Sequence, residues 1–374
     1  MLPSFPSYAA FFCLIAFLSV IQAAIVVDSK STERFLWFTC IGESERSYLE
    51  FEMVALESAS QNSPSLLPVV VVSGPPSGIP QWLHHMHDQC DLILLNHNVS
   101  FAAEIRFHPG RAHLFAPYLR LDIPLIVDSI LNHIPSKCSY QWNKEYVIYT
   151  DTDVMILKDV NPLVYRPPIL SVGPEHIKDR IANTGVLIIN VPQWKQIIPH
   201  LLQYATSHKW TSERGKTSFD QELTMDYIKE HLQNKVSLLA NELNWKPYWA
   251  TNSNALIIHF HGPKPKKYAD CYALLTSNHQ HAAKLASYNV STADSKSDLS
   301  SANCIDVNVE RIYREQCSFP PYYSVLSYSR DHYNSTLCQQ AQSYRTYLSY
   351  YYHSLHLFKM KIQAFKKNQV GLKP

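Results

Sequence analysis

The segment Glu145-Tyr-Val-Ile-Tyr-Thr-Asp-Thr-Asp-Val-Met-Ile-Leu157 decides how the rest of the chain is read. Residues 146–149 and 154–157 are apolar, β-branched or aromatic, the composition of buried strand. Between them stand Asp151 and Asp153, two positions apart. In an extended chain such positions point to the same face, so both carboxylates converge on one spot. Two anions that close repel, and one is driven toward protonation unless a cation sits between them. A divalent metal with oxygen ligands resolves the conflict, and Mg²⁺ or Mn²⁺ suits carboxylates that share the ion with phosphates. The plainer alternative is a solvated acidic turn between strands. The apolar flanks favour the metal, because an ordinary loop is not framed so tightly by core sequence.

Outward from this centre the chain alternates strand and helix. Strands are expected over residues 35–40, 69–72 and 91–95, with helices over 48–59 and 84–90 between them. A surface-exposed connection is expected over 99–110, and a helix carrying Arg120 and Pro124 over 117–133. Beyond the acidic centre, strands are expected at 169–172, 236–239 and 255–260, and helices at 194–208 and 219–228. Ala182-Asn-Thr-Gly185 reads as a turn feeding a strand that ends at Asn190. This rhythm is that of an α/β domain with a mixed, mostly parallel sheet flanked by helices. Such sheets bind nucleotides beyond the carboxyl ends of their strands, and Asp151 and Asp153 follow such a strand.

The chain of 374 residues is long enough for a full core. A formal charge of +2 creates no field that would gather nucleic acid. Residues 8–27 form a nearly continuous apolar run, read as a cleaved signal peptide or a single-pass signal-anchor, so that residues 1–27 form a leader. Sequons begin at Asn98, Asn289 and Asn334. Leader and sequons together place the rest in the secretory pathway lumen, Golgi or ER. Cys13 lies in the leader, and the other seven cysteines are widely spaced with no C-x-x-C. Disulfides are expected, among Cys271, Cys304, Cys317 and Cys338, with one thiol left over. Residues 287–301 are rich in Ser, Asp and Ala, and the tail from Cys304 is rich in tyrosine. The tail is expected to carry a disulfide, and its tyrosines over 344–352 to pack on the domain rather than form an acceptor wall.

Further candidates for chemistry follow. His259-Phe-His-Gly-Pro-Lys264 offers His259 as a third metal ligand with His261 as its substitute, Gly262 for close backbone approach to phosphate, and Lys264 to offset its charge. The bland alternative is a pair of polar tips at a strand end. Asp220-Gln221 opens a helix, with Asp220 either an N-cap or a carboxylate facing a developing positive sugar centre. Asn183 and Gly185 present amide groups, or simply make a strand-entry turn. Arg120 is a diphosphate clamp or a salt-bridged surface arginine.

Taken in order, Arg120-Leu-Asp-Ile-Pro, Tyr149-Thr-Asp-Thr-Asp-Val, Asn183-Thr-Gly-Val-Leu-Ile-Ile-Asn190, Asp220-Gln221 and His259-Phe-His-Gly-Pro-Lys264 resemble glycosyltransferase family 8, the glycogenin-like group of the GT-A fold. The resemblance covers roughly residues 34–268 and departs from the family at the single residue between Gly262 and Lys264 and at Lys266, where a tryptophan is usual. It implies a GT-A domain over 34–270 and a helical, cysteine-containing C-terminal extension over 271–374. It implies Mn²⁺ or Mg²⁺ held by Asp151, Asp153 and His259, bridging the diphosphate of a nucleotide sugar, UDP-linked. Gly262 and Lys264 would contact the diphosphate. Arg120, Asn183, Asp220 and Gln221 would line the sugar, with Gly185 also on the donor-binding side and Asp220 and Gln221 as the catalytic pair. The implied activity is retaining transfer to a glycan or glycoprotein acceptor, by double displacement through Asp220 or by a front-side route. The rival readings are a non-catalytic glycan- or partner-binding module and a nucleotide-sugar phosphohydrolase.

Overall fold

Runs such as Leu-Leu-Pro-Val-Val-Val-Val and Val-Leu-Ile-Ile carry no polar alternation, which marks strands buried on both faces. The computed structural model describes residues 34–42, 48–101, 115–175, 182–210, 220–232, 234–261, 264–265 and 330–370; side chains at 115–116, 220, 330–345 and 367–370 are not among those described. The strands are β1 (Arg34–Ile41), β2 (Leu66–Val72), β3 (Ile93–Asn96), β4 (Trp142–Thr150), β5 (Val154–Ile156), β6 (Leu170–Pro174), β7 (Ala182–Asn190), β8 (Val236–Leu238) and β9 (Ile257–His259). The helices are α1 (Tyr48–Asn62), α2 (Gln81–Asp88), α3 (Phe115–Ser129), α4 (Val191–Ser207), α5 (Asp220–His231) and α6 (Arg330–Val370).

Seven strands form one sheet in the order β3-β2-β1-β4-β7-β6-β8. Every pairing is parallel except those of β7, which runs against both β4 and β6. The expected mixed, mostly parallel α/β architecture is therefore present. Period-2 alternation sends the strands' side chains into two cores. Leu36, Phe38, Leu67, Val69, Val147, Tyr149, Leu187 and Ile189 join the core shared with α3, α4 and α5. Phe35, Trp37, Val70, Ile148, Val186 and Ile188 join the core under α1 and α2.

Two details of topology place the site. The strand order reverses direction between β1 and β4, and ligands of open α/β sheets bind at such a point. Because β7 is antiparallel, its first residues lie at the same sheet edge as the last residues of β4, with Thr150 opposite Val186. A separate two-stranded sheet pairs β5 with β9 and sets Val154 opposite His259.

Several expectations are corrected here. Asn183-Thr-Gly185 is not a turn, because β7 is continuous strand from Ala182. The segment from Val99 is not wholly exposed either. Val99 and Phe101 are buried, and Phe101 stacks on Trp210 at 5.6 Å; residues 102–110 lie outside the described part. The disulfide found among the described residues is Cys90–Cys138, which the sequence reading did not single out, and Cys40 is a free, buried thiol. The four tail cysteines lie outside the described side chains, as do the leader and Asn289. Among the described residues no helix is long and apolar enough to cross a membrane.

Two of the tail's described tyrosines pack on the domain. Tyr347 and Tyr351 are buried against Val54, Met155 and Phe260, and Phe358 meets Trp82 edge-on at 5.2 Å. Lys361 and Lys359 reach Glu57 and Glu50 on α1. Tyr350 and Tyr352 on the same helix are exposed.

The Cys90–Cys138 bridge closes a loop with a sequence separation of 48, joining the end of α2 to the segment before β4. Replacing both cysteines by serine should lower unfolding stability by about 2–4 kcal/mol. Urea denaturation under non-reducing conditions reads this directly, and an unchanged midpoint would show the bridge to be stabilising nothing.

Glu52 on α1 supplies a second test. It is fully buried, Thr39 Oγ1 donates to its Oε1 at 2.7 Å, and its Oε2 has no partner. Burial pushes the carboxyl up to about 8, only partly offset by the Thr39 bond. The native state therefore keeps a proton that the unfolded chain releases at an ordinary glutamate value of about 4.3. This contribution to stability is complete below that value and is lost as pH rises through about 8. Glu52→Gln should remove that slope, leaving the variant more stable than the parent at pH 8.5. Parallel stability–pH curves for the two proteins would rule Glu52 out as the source.

Candidate metal centre

β4 delivers Asp151 and Asp153 to the sheet edge, and β5 begins immediately after them. Backbone bonds fix the segment on both sides. Asp151 N–H donates to Gly185 O at 2.8 Å, and Phe260 N–H donates to Asp153 O at 2.8 Å. The Trp37 indole supports it from beneath, donating to Thr150 Oγ1 at 2.9 Å. The carboxylates and the His259 ring thus converge, with one donor atom from each of the three residues within 4.8 Å of the others.

Distances show what the group can do. His259 Nε2 lies 3.6 Å from Asp151 Oδ2 and 3.4 Å from Asp153 Oδ1. It is buried, has no hydrogen-bond partner among the described residues, and points between two carboxylates. Two hard oxygen donors and one imidazole nitrogen fit Mn²⁺ or Mg²⁺, and a three-residue donor set leaves positions for substrate oxygens.

Each ligand has its own support. Tyr149 Oη donates to Asp151 Oδ1 at 2.7 Å, and Arg120 Nη2 lies 3.1 Å from the same oxygen. Arg120 is buried, donates through Nη1 to Thr184 O at 2.6 Å, and lies over the Tyr149 ring. It is therefore tied to the acidic pair from α3, not free on the surface. Burial alone would raise the Asp153 carboxyl, but Lys264 and His259 outweigh it and hold it well below the usual range. Lys264 Nζ bonds Asp153 Oδ2 directly; burial lowers the Lys264 pKa, but that partner raises it further.

Asn183, Gln221 and Gly185 gather beside this group. Gln221 Oε1 accepts from Asn183 Nδ2 at 3.2 Å and from Thr184 N–H at 3.2 Å. A Cβ on Gly185 would fall 2.2 Å from His259 Cε1 and 2.8 Å from Asp151 Oδ2, so only glycine lets ring and carboxylate approach here. The structure thus brings Arg120, Asp151, Asp153, Asn183, Gly185, Gln221, His259 and Lys264 to one place. Asp220 opens α5, but its side chain, like Gly262, lies outside the described part.

Residues that the sequence reading passed over complete the surroundings. Asn244 is fully buried and bonds His259 Nδ1 at 2.8 Å through Oδ1. Lys246 is also buried, donates to Pro174 O at 2.7 Å, and has its pKa lowered by burial to about 8. Glu175 sits 3.8 Å from Lys246 Nζ and 3.5 Å from His261 Nδ1. His261 Nδ1 lies 3.5 Å from Glu175 Oε1, outside the group formed by Asp151, Asp153 and His259, and burial and the neighbouring His259 push its pKa down to about 4. Asn241-Glu-Leu-Asn-Trp-Lys-Pro247 shows neither helical nor strand periodicity, and nothing local marks Asn244 and Lys246 as buried.

A separate groove of about 580 Å³ lies at the opposite sheet edge, lined by Arg34, Trp82, His85, Phe358 and Lys361. It holds none of these residues.

No protein-family model and no curated protein matches the chain. Among solved structures it is similar to the glycosyltransferase GlyE of Streptococcus pneumoniae TIGR4, at 18% identity, 63% of this chain, 56% of that one and a TM-score of 0.43. The apo form of GlyE gives 16% identity, 62% and 56% coverage and a TM-score of 0.45. The bifunctional WbbM apo structure gives 12%, 63%, 47% and 0.41. The chain spans about half the length of these proteins. Likeness at this level does not transfer chemistry.

Proposed function

We propose that this protein is a metal-dependent glycosyltransferase of GT-A type, taking a sugar from a nucleotide diphosphate donor, UDP-linked, to a glycan or glycoprotein acceptor in the secretory lumen. One observation carries the reading: Asp151, Asp153 and an orphaned His259 Nε2 converge at the carboxyl end of β4, where the sheet order reverses. The ordered motifs that resemble glycosyltransferase family 8 support the same reading.

Asp151, Asp153 and His259 would hold Mn²⁺ or Mg²⁺. When bound, the ion supplies Lewis acidity that neutralises charge on the departing nucleoside diphosphate. This chain's own residues do the remainder. Arg120 and Tyr149 hold Asp151 in position. Lys264, now on Asp153, is within reach of the same centre and can transfer its charge to phosphate oxygens. Asn183 and Gln221 form a polar wall for sugar hydroxyls beside the carboxylates. Retention of anomeric configuration is part of the proposal, with Asp220 the carboxylate for a double displacement and a front-side route as the alternative.

Incubation with a panel of nucleotide sugars and Mn²⁺, with slow donor hydrolysis as readout, tests the reading without an acceptor. Release of one nucleoside diphosphate with free sugar, lost on chelation, is expected. Release of nucleoside monophosphate with sugar phosphate would indicate a phosphohydrolase instead. Binding of donor with no turnover of any donor would indicate a non-catalytic module.

A further inference from the structure

The metal reading leaves open what makes a neutral histidine point the correct nitrogen at the carboxylates. Which ring nitrogen carries the proton depends on the hydrogen bond made by the other. Here a chain of amides decides it. Pro174 O can only accept, so the Asn244 group facing it at 3.0 Å is the Nδ2 donor. Gly185 N–H can only donate, so Asn183 presents Oδ1 to it at 2.9 Å. That same Oδ1 receives Asn244 Nδ2 at 3.3 Å, which agrees with the first assignment. Asn244 Oδ1 is then the atom left to face His259 Nδ1, 2.8 Å away. A carbonyl oxygen accepts, so Nδ1 is the nitrogen that carries a proton toward Asn244, which leaves Nε2 as the nitrogen that a metal can take.

The fold leaves Asn244 no other pose. Asn244 and His259 are both buried, and the backbone bonds His259 N to Trp245 O and Trp245 N to Ile257 O tie the residue after Asn244 to β9. Gly173 sits against the amide, and a Cβ there would lie 2.3 Å from Asn244 Nδ2. The pairing of β6 with β7 shifts register there, from Val172 opposite Leu187 to Gly173 opposite Asn183.

We infer that Asn244 is a positioning residue that holds His259 as its Nδ1–H tautomer and so makes Nε2 a metal ligand. The ligation half rests on the metal-centre reading; the tautomer half does not. Metal-free protein with ¹⁵N-labelled histidine should show a protonated Nδ1 for His259. Asn244→Leu should let the Nε2–H form appear and weaken binding of Mn²⁺ alone, followed by electron paramagnetic resonance, about 10–100-fold. Asn244→Asp keeps an acceptor for Nδ1–H and should retain the tautomer, which decides the matter if the leucine variant fails to fold. A wild-type His259 with Nδ1 unprotonated, or a folded Asn244→Leu protein with unchanged Nδ1 protonation and Mn²⁺ affinity, would overturn the inference. Loss of the Nδ1–H form in Asn244→Asp would overturn it as well. The expected tautomer without Mn²⁺ binding would instead support the positioning role and refute the metal centre.

Discussion

Asp153→Asn is expected to reduce metal-dependent donor turnover by about 10³-fold, several kcal/mol of transition-state stabilisation, while the protein remains folded. Asp153 is nearly inaccessible, lies 3.4 Å from His259 Nε2, and is held ionised against its burial by Lys264 and His259. The amide is isosteric but neutral, so it loses affinity for the ion and leaves Lys264 without its counter-charge. The backbone bond from Phe260 N–H to Asp153 O does not involve the side chain, so β5 and β9 should stay paired. Donor hydrolysis across a Mn²⁺ titration, with circular dichroism as control, reads both effects. Full activity of the variant in chelator-treated buffer would remove the metal from the mechanism.

Gly185→Ala is expected to be nearly as severe, although it adds one methyl group and removes no ligand. The new Cβ would overlap His259 Cε1 and crowd both Asn183 Oδ1 and Asp151 Oδ2. None of these neighbours yields easily. The ring is bonded to Asn244, Asn183 Oδ1 is bonded to the Gly185 amide, and Asp151 is held by Arg120 and Tyr149. Overpacking at such a point costs about 1–3 kcal/mol of stability. The larger effect should be on the site, because shifting the ring by even 1 Å separates Nε2 from the carboxylates. Mn²⁺ affinity should fall at least about tenfold, measured beside thermal unfolding. A variant that binds Mn²⁺ normally would show that the pocket can relax, and Gly185 would then be only a strand residue.

Gly185 also shows where local reading stops. In sequence it suggests a turn that presents amides, since glycine before an apolar run commonly marks one. The structure places it within continuous strand, where its missing side chain is what matters. That requirement is set by His259, 74 positions further on, and no local pattern can express it.

What the sequence determined by itself was whatever depends on short periods. Apolar runs with strand composition predicted the sheet strands, because burial on both faces demands continuous apolar sequence. The spacing of Asp151 and Asp153 predicted their convergence, because an extended chain repeats every two residues. Their apolar frame, with the candidates at Arg120, Asn183 and His259, named side chains that the structure brings close together. Tertiary structure alone decided the rest. The antiparallel course of β7 brings Gly185 beside Asp151, and pairing of β5 with β9 brings His259 beside Asp153. Asn244, Lys246 and Glu175 became visible only there, because a buried polar side chain is recognised by its partners, and its partners are distant in sequence. The Cys90–Cys138 bridge follows the same rule, since pairing depends on Cα atoms meeting at 5.6 Å and not on spacing along the chain.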